Sequence, residues 1–230
     1  MLNNCKYFGN YFGIQSFLFK FAPTYKFSCC LVMKEKIISK ASELFLKLGF
    51  KSITMDDIAA DMCISKKTIY KYFCNKEVLI EESTTMVHKQ IHESINTIIC
   101  HNHNAIEENF EIRKMFKEMF KVSDTSPIYQ LKKHYPDIYE KVIKREIDEC
   151  KSVFKQNIEK GITQGYYREG INIESFIRFY YTIIFNINET TISEKEAQKL
   201  ELEALEYHTR AMATPKGIIE LEKHLQNLNI

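Results

Sequence analysis

The chain lacks most of the features that announce enzyme chemistry. Its seven glycines are dispersed, so no glycine-rich loop exists to cradle a phosphate, and there is no Gly-x-Ser-x-Gly elbow and no His-Glu-x-x-His pair. The seven cysteines include no Cys-x-x-Cys pair and no nucleophile with an evident base. Their odd number, without a secretory signal, points to reduced thiols in a cytosol. No apolar run approaches the roughly 20 residues of a membrane span. Neither sign of charge dominates, the formal net charge being +2, which argues neither for nor against nucleic acid. Helix breakers are scarce, with four prolines, and no alternating strand pattern or internal repeat appears. These absences leave a cytoplasmic, non-enzymatic, all-α protein with no expected cofactor, long enough at 230 residues for one or two cores.

The charge that is present is local. Residues 33–80 hold nine Lys/Arg against six Asp/Glu, whereas residues 81–230 hold twenty against twenty-four. Within the basic region, Ile64 to Phe73 predicts a short amphipathic helix with Ser65 as its N-cap. At about 100° per residue, Ile69 and Phe73 fall on one face, with Ile64 packing in at the start. Lys67, Thr68 and Lys71 fall on the other. From Ser65 to Lys76 there are four lysines and no acid, so the free face suits phosphates and base edges. Thr54-Met55-Asp56-Asp57 predicts a capped helix start just upstream, with Ile58, Ala59 and Met62 facing inward. A brief helix, a tight turn and a basic second helix make a helix-turn-helix. Ile37, Ile38, Ala41, Leu44, Phe45 and Leu48 predict an earlier helix starting near Lys34 and stopping at Gly49.

The ungapped stretch from Thr54 to Leu79 resembles the signature of the TetR family of transcriptional regulators. The resemblance implies an N-terminal three-helix helix-turn-helix domain over residues 33–79, followed by a helical ligand-binding and dimerisation domain over 80–230. It also implies contact roles. Thr54, Tyr72 and Lys76 would touch phosphate; Lys66, Lys67, Thr68, Tyr70 and Lys71, behind the cap of Ser65, would face the major groove. For Tyr70 a packing role between helices stands beside the reading role, and for Lys66 a solvated or phosphate-bound one. Cys63 departs from the family, which has glycine in that turn; if φ is positive there, Cys63 is strained by about 1 kcal/mol. Because the family begins just before its first helix, Met33 is an expected start and residues 1–32, aromatic and basic with no acid, an upstream translation or a disordered arm.

Past Glu81 the pattern is helical without a motif. Asn75 caps a fourth helix marked by Val87, Ile91, Ile95 and Ile98. Ser126-Pro127 and Thr214-Pro215 pair a capping hydroxyl with proline at the first helical position. Pro136 opens a long helix to about Gly161, buried through Ile138, Val142, Ile143, Ile147, Val153, Phe154 and Ile158; Gly165 and Gly170 bracket a turn. The apolar run Ile173–Ile187 needs cover on more than one side, either from its own domain or from a twin subunit. The resemblance implies the twin, through residues 172–190 and 198–213. It also implies a pocket for a small apolar ligand, for which Phe110, Met115, Phe116, Met119, Tyr129, His134, Phe154, Phe176 and Tyr180 are candidates; aromatic and methionine residues at this spacing equally make core. His88 and His92 share a helical face, but Cys100, His101 and His103 lie about two turns further along the same rod, so no metal site is expected. The implied function is a repressor leaving a near-palindromic double-stranded operator on ligand binding. The alternative is an activator or scaffold answering to a protein partner.

Overall fold

A computed structural model describes residues 25–228, with the side chains of residues 25–31 and Asp148 left aside. Ten helices follow one another: α1 (Tyr25–Leu48), α2 (Met55–Asp61), α3 (Lys66–Tyr70), α4 (Lys76–Cys100), α5 (Ala105–Phe120), α6 (Pro127–His134), α7 (Pro136–Thr163), α8 (Ile173–Thr190), α9 (Glu194–Met212) and α10 (Pro215–Leu228). Among the described residues the only extended pairings are two isolated bridges, Thr125–Ser193 and Tyr167–Ala213. The all-α expectation holds. α1 begins at Tyr25 and not near Lys34, so the helix runs through position 33 without a break; residues 1–24 of the expected extension lie outside the described residues.

Capping chemistry sets the helix starts. Ser65, Asn75 and Ser126 accept from the backbone N–H three residues on, each satisfying a donor that the first turn leaves open. Thr54 and Asp57 form a reciprocal capping box. Thr214 Oγ1 accepts from Gly217 N at the start of α10.

Two apolar cores form. The first gathers Ile37, Ala41 and Phe45 of α1, Ile58 of α2, Ile69 of α3, and Leu79 and Ile80 of α4, with Leu131 of α6 and Ile138 of α7 closing it from the larger domain. The second gathers Ile106 and Phe110 of α5, Ile158 of α7, Ile177 of α8, Leu205 and Met212 of α9, and Leu221 of α10. Two expected core positions are corrected: Leu48 and Ile147 are 51% and 41% exposed, Leu48 because it is the last residue of its helix and Ile147 because it sits at the edge of the stripe on α7.

Polar contacts from α6, the α5–α6 loop and the start of α4 hold the end of α1 and the loop after it. Phe50 N donates to Gln130 Oε1 at 2.9 Å, Ser123 Oγ donates to Leu46 O at 2.7 Å, and Lys76 Nζ donates to Lys51 O at 3.2 Å. Phe50 of the α1–α2 loop and Leu46 at the end of α1 are thereby held by hydrogen bonds from the larger domain.

Candidate nucleic-acid interface and central cavity

The turn between α2 and α3 fixes how α3 is presented. Cys63 has φ 53°, the left-handed conformation, and is the only non-glycine residue with positive φ among those described. Around it Cys63 N donates to Ala60 O at 3.0 Å and Ile64 N to Ala59 O at 2.9 Å. That pair is a Schellman closure of α2, with Ile64 and Ala59 meeting in the core. The chain leaves the turn with Ser65 extended, and α3 starts at once.

α3 is shorter than the sequence predicts, five residues followed by a turn through Lys71 and Tyr72. Ile69 is fully buried and Phe73 nearly so, which pins one flank. The opposite flank carries Lys67 and Lys71, both exposed, for which no ion pair is found among the described residues. Lys71 Nζ lies over the Tyr72 ring. Lys66 is exposed but paired, its Nζ 2.8 Å from Asp56 Oδ2; solvent screens such a surface pair, so it yields easily to a phosphate. Thr68 Oγ1 and Ser65 Oγ lie 2.7 Å apart, leaving the Thr68 methyl as its freer surface. Tyr70 is 43% exposed, beneath the Lys66 ammonium. Thr54 is exposed at the start of α2, and Lys76 is half-buried over the Tyr135 ring, burial lowering its pKa below the usual lysine value. The nine residues singled out by sequence thus lie on α3, on the caps that start α2 and α3, on the turn after α3 and on the first turn of α4.

Between the two cores lies a cavity of about 290 Å³, walled by α1, α4, α5, α6, α7, α8 and α9. Of the nine candidate ligand residues it brings together Phe116, Phe154 and Tyr180. The other six are placed elsewhere. Phe110 is buried in the second core and stacks on His224, ring centroids 5.0 Å apart. Phe176 packs beside His208. Met115 and Met119 lie on the stripe of α5 next to the cavity-facing stripe of Ile112, Phe116 and Phe120. Tyr129 lies under the Lys133 ammonium, and His134 ends α6, where burial, with the charge of Lys51 added to it, lowers its pKa.

The cavity has a polar end that the sequence did not suggest. Arg113, Asn188, Glu194, Gln198 and Glu201 face it. Arg113 Nη2 donates to Gln198 O at 3.1 Å, while its Nε is buried with no hydrogen-bond partner among the described residues. Asn188 Nδ2 donates to Glu201 Oε1 at 2.6 Å. Burial raises the carboxyl pKa of both Glu194 and Glu201. On the opposite wall burial, with Glu146 beside it, pushes the Cys150 thiol up to about 12. A charged residue on a helix looks like a surface residue in sequence; only the crossing of α5, α8 and α9 turns these inward. No described helix is long and apolar enough to cross a membrane.

Residues 37–83 match the family described as bacterial regulatory proteins, tetR family. The chain is 31% identical over 107 residues to the biofilm operon icaADBC HTH-type negative transcriptional regulator IcaR of Staphylococcus aureus strain Newman, a match covering 46% of this chain and 52% of that protein. It therefore spans about half the length of the curated relatives it matches. Among solved structures, a transcriptional regulator from Cytophaga hutchinsonii superposes with TM-score 0.64 at 18% identity, over 78% of this chain and 98% of that one. A regulator from Saccharomonospora viridis in complex with choline superposes with TM-score 0.62 at 13% identity, over 80% and 99%. With a helix-turn-helix closed by a left-handed turn, a capped basic α3 and a larger helical domain behind it, the chain has the fold of these regulators, and its residues 37–83 are those of the tetR family of bacterial regulatory proteins.

Proposed function

We propose that this chain is a sequence-specific DNA-binding transcriptional regulator acting in the cytoplasm as a homodimer, a repressor that leaves a near-palindromic operator when a small, largely apolar molecule occupies the central cavity. The observation that carries the DNA-binding reading is the two-sided character of α3: Ile69 is fully buried while Lys67 and Lys71 stand in solvent. Lys67, Lys71, Thr68 and Tyr70 read base edges, and Thr54, Ser65, Lys66, Tyr72 and Lys76 position the unit on phosphates. The repressing sign is favoured by the Staphylococcus aureus relative, which is a negative regulator.

Dimerisation draws support from α8 and α9. Of the densely apolar run in α8 only Ile177 is fully buried, and Phe179 and Tyr207 are 60% and 67% exposed. A second subunit is the cover such a face calls for, and two-fold pairing sets two copies of α3 one DNA turn, or a multiple, apart. The occupant of the cavity is an apolar body carrying one hydrogen-bond acceptor for Arg113 Nε, since that buried donor is otherwise unsatisfied.

Selection of bound duplexes from a random pool tests the proposal. One enriched motif with two inverted half-sites is the expected result. A pool without enrichment at low ionic strength overturns it.

A further inference from the structure

α4 and α7 run alongside one another, and at one level of their seam five metal-ligating side chains meet. His88 and His92 come from one face of α4, Glu146, Glu149 and Cys150 from one face of α7. His88 Nδ1 lies 2.5 Å from Glu146 Oε1, and His88 Nε2 lies 3.0 Å from Glu149 Oε2. Cys150 Sγ lies 3.9 Å from His92 Nε2 and 3.3 Å from Glu146 Oε2. Ligand atoms of His88, His92 and Glu146 all fall within 4.8 Å of one another; Cys150 lies at the edge of that group, on the side of His92 and Glu146. The imidazoles are not solvated, as two histidines on a lone helix would be: the side chains of His88 and His92 keep only 11% and 18% exposure.

We propose that His88, His92 and Glu146, completed by Cys150, form a site for a divalent d-block cation of borderline softness such as zinc. Tetrahedral zinc holds nitrogen and oxygen at about 2.0–2.1 Å and sulfur at about 2.3 Å, which sets neighbouring ligand atoms roughly 3.3–3.8 Å apart. The two contacts of Cys150 are close to that spacing. The His88–Glu146 contact is shorter, and it opens by roughly an ångström when a cation enters between the two atoms. The protons displaced from imidazole and thiol leave to solvent. Two imidazoles, a carboxylate and a thiolate do not suit magnesium or calcium, which take six or more oxygens.

Glu149 has a separate part. With Nδ1 of His88 turned to the cation, Nε2–H donates to Glu149, which fixes the ring and raises its basicity. Cys100, His101 and His103 lie at and beyond the far end of α4, where the rise of the helix puts them out of reach. The fold brings the remaining ligands from α7, some 58 residues away. Because α4 starts at Lys76, directly after α3, a cation there ties the helix leading out of the basic unit to the middle of the larger domain.

The test uses the full chain and cobalt(II) as the probe, with no DNA present, so it stands apart from the regulatory reading. Titration is expected to develop the intense visible bands of tetrahedral cobalt and a sulfur-to-cobalt charge-transfer band at one ion per chain. Zinc should displace the probe and excess magnesium should not. His88→Gln with His92→Gln should weaken binding by roughly 100-fold or more, while Cys150→Ser should remove the charge-transfer band and keep the visible ones. Glu146→Gln, nearly isosteric, supplies the comparison if the double variant does not fold. No spectral change in the unaltered chain, or an unchanged titration in the folded variants, overturns the proposal.

Discussion

Cys63 holds a left-handed backbone in a turn where glycine would carry no conformational cost. The left-handed φ it adopts is required by the Schellman closure, so the side chain is tolerated at a conformational cost and contributes nothing to the motif. Cys63→Gly should raise stability by up to about 1 kcal/mol, less the entropy glycine adds to the unfolded chain, read as a higher urea midpoint at unchanged slope; a lower midpoint would show that the thiol packs usefully. His208 makes the opposite kind of contribution. Buried against Tyr180 at a centroid distance of 4.5 Å, it has its pKa lowered by burial from 6.5 to about 4. The unfolded chain therefore binds the proton more tightly. Its share of stability is complete above pH 6.5 and is lost as pH falls toward 4, about 3 kcal/mol over the full window. Wild type should lose stability more steeply across that window than His208→Gln; parallel curves would contradict the assignment.

At the scale of the helix, contacts that position and contacts that read should separate. Lys76→Ala should weaken binding to all duplexes alike and lower the salt slope by about one unit. Lys67→Ala should leave a flatter sequence preference, at about 1–3 kcal/mol for the base it contacts. Electrophoretic retardation over a salt series, on the selected site and on its scrambled counterpart, checks both. The latch from α6 has its own test. Gln130→Ala leaves the buried Phe50 N–H without its acceptor and should cost about 1–3 kcal/mol, with faster hydrogen exchange at that amide. Much at this scale was legible in sequence, because caps and stripes are local signals: Thr54, Ser65, Asn75, Ser126 and Thr214 each start the helix they were expected to start. What lies opposite a stripe was not. Phe110 and Phe116 look alike in sequence, yet one meets His224 in the second core and the other faces the cavity. Periodicity reports that a face is covered and is silent about what covers it. The same silence hid the carboxylates and thiol that α7 brings to His88 and His92 and the inward turn of Arg113 and Glu201.

For the molecule as a whole, the cavity sits where both cores end, and its wall includes Phe45, Leu46 and Phe50 from α1 and the loop that follows. An apolar compound that fills it should raise the thermal midpoint in proportion to the logarithm of its concentration and lower operator affinity by the same coupling factor that DNA lowers its own binding. Calorimetry in the presence and absence of operator measures both legs, and unequal factors would break the scheme. The placement of those two phenylalanines has a further consequence. A guest in this hollow would meet the floor of the three-helix unit directly, with no intervening lever, so its reach toward α1 should matter more than its bulk. Homologous ligands lengthened toward α1 should shift from silent tenants to inducers at the length where they first wedge against the Phe50 ring.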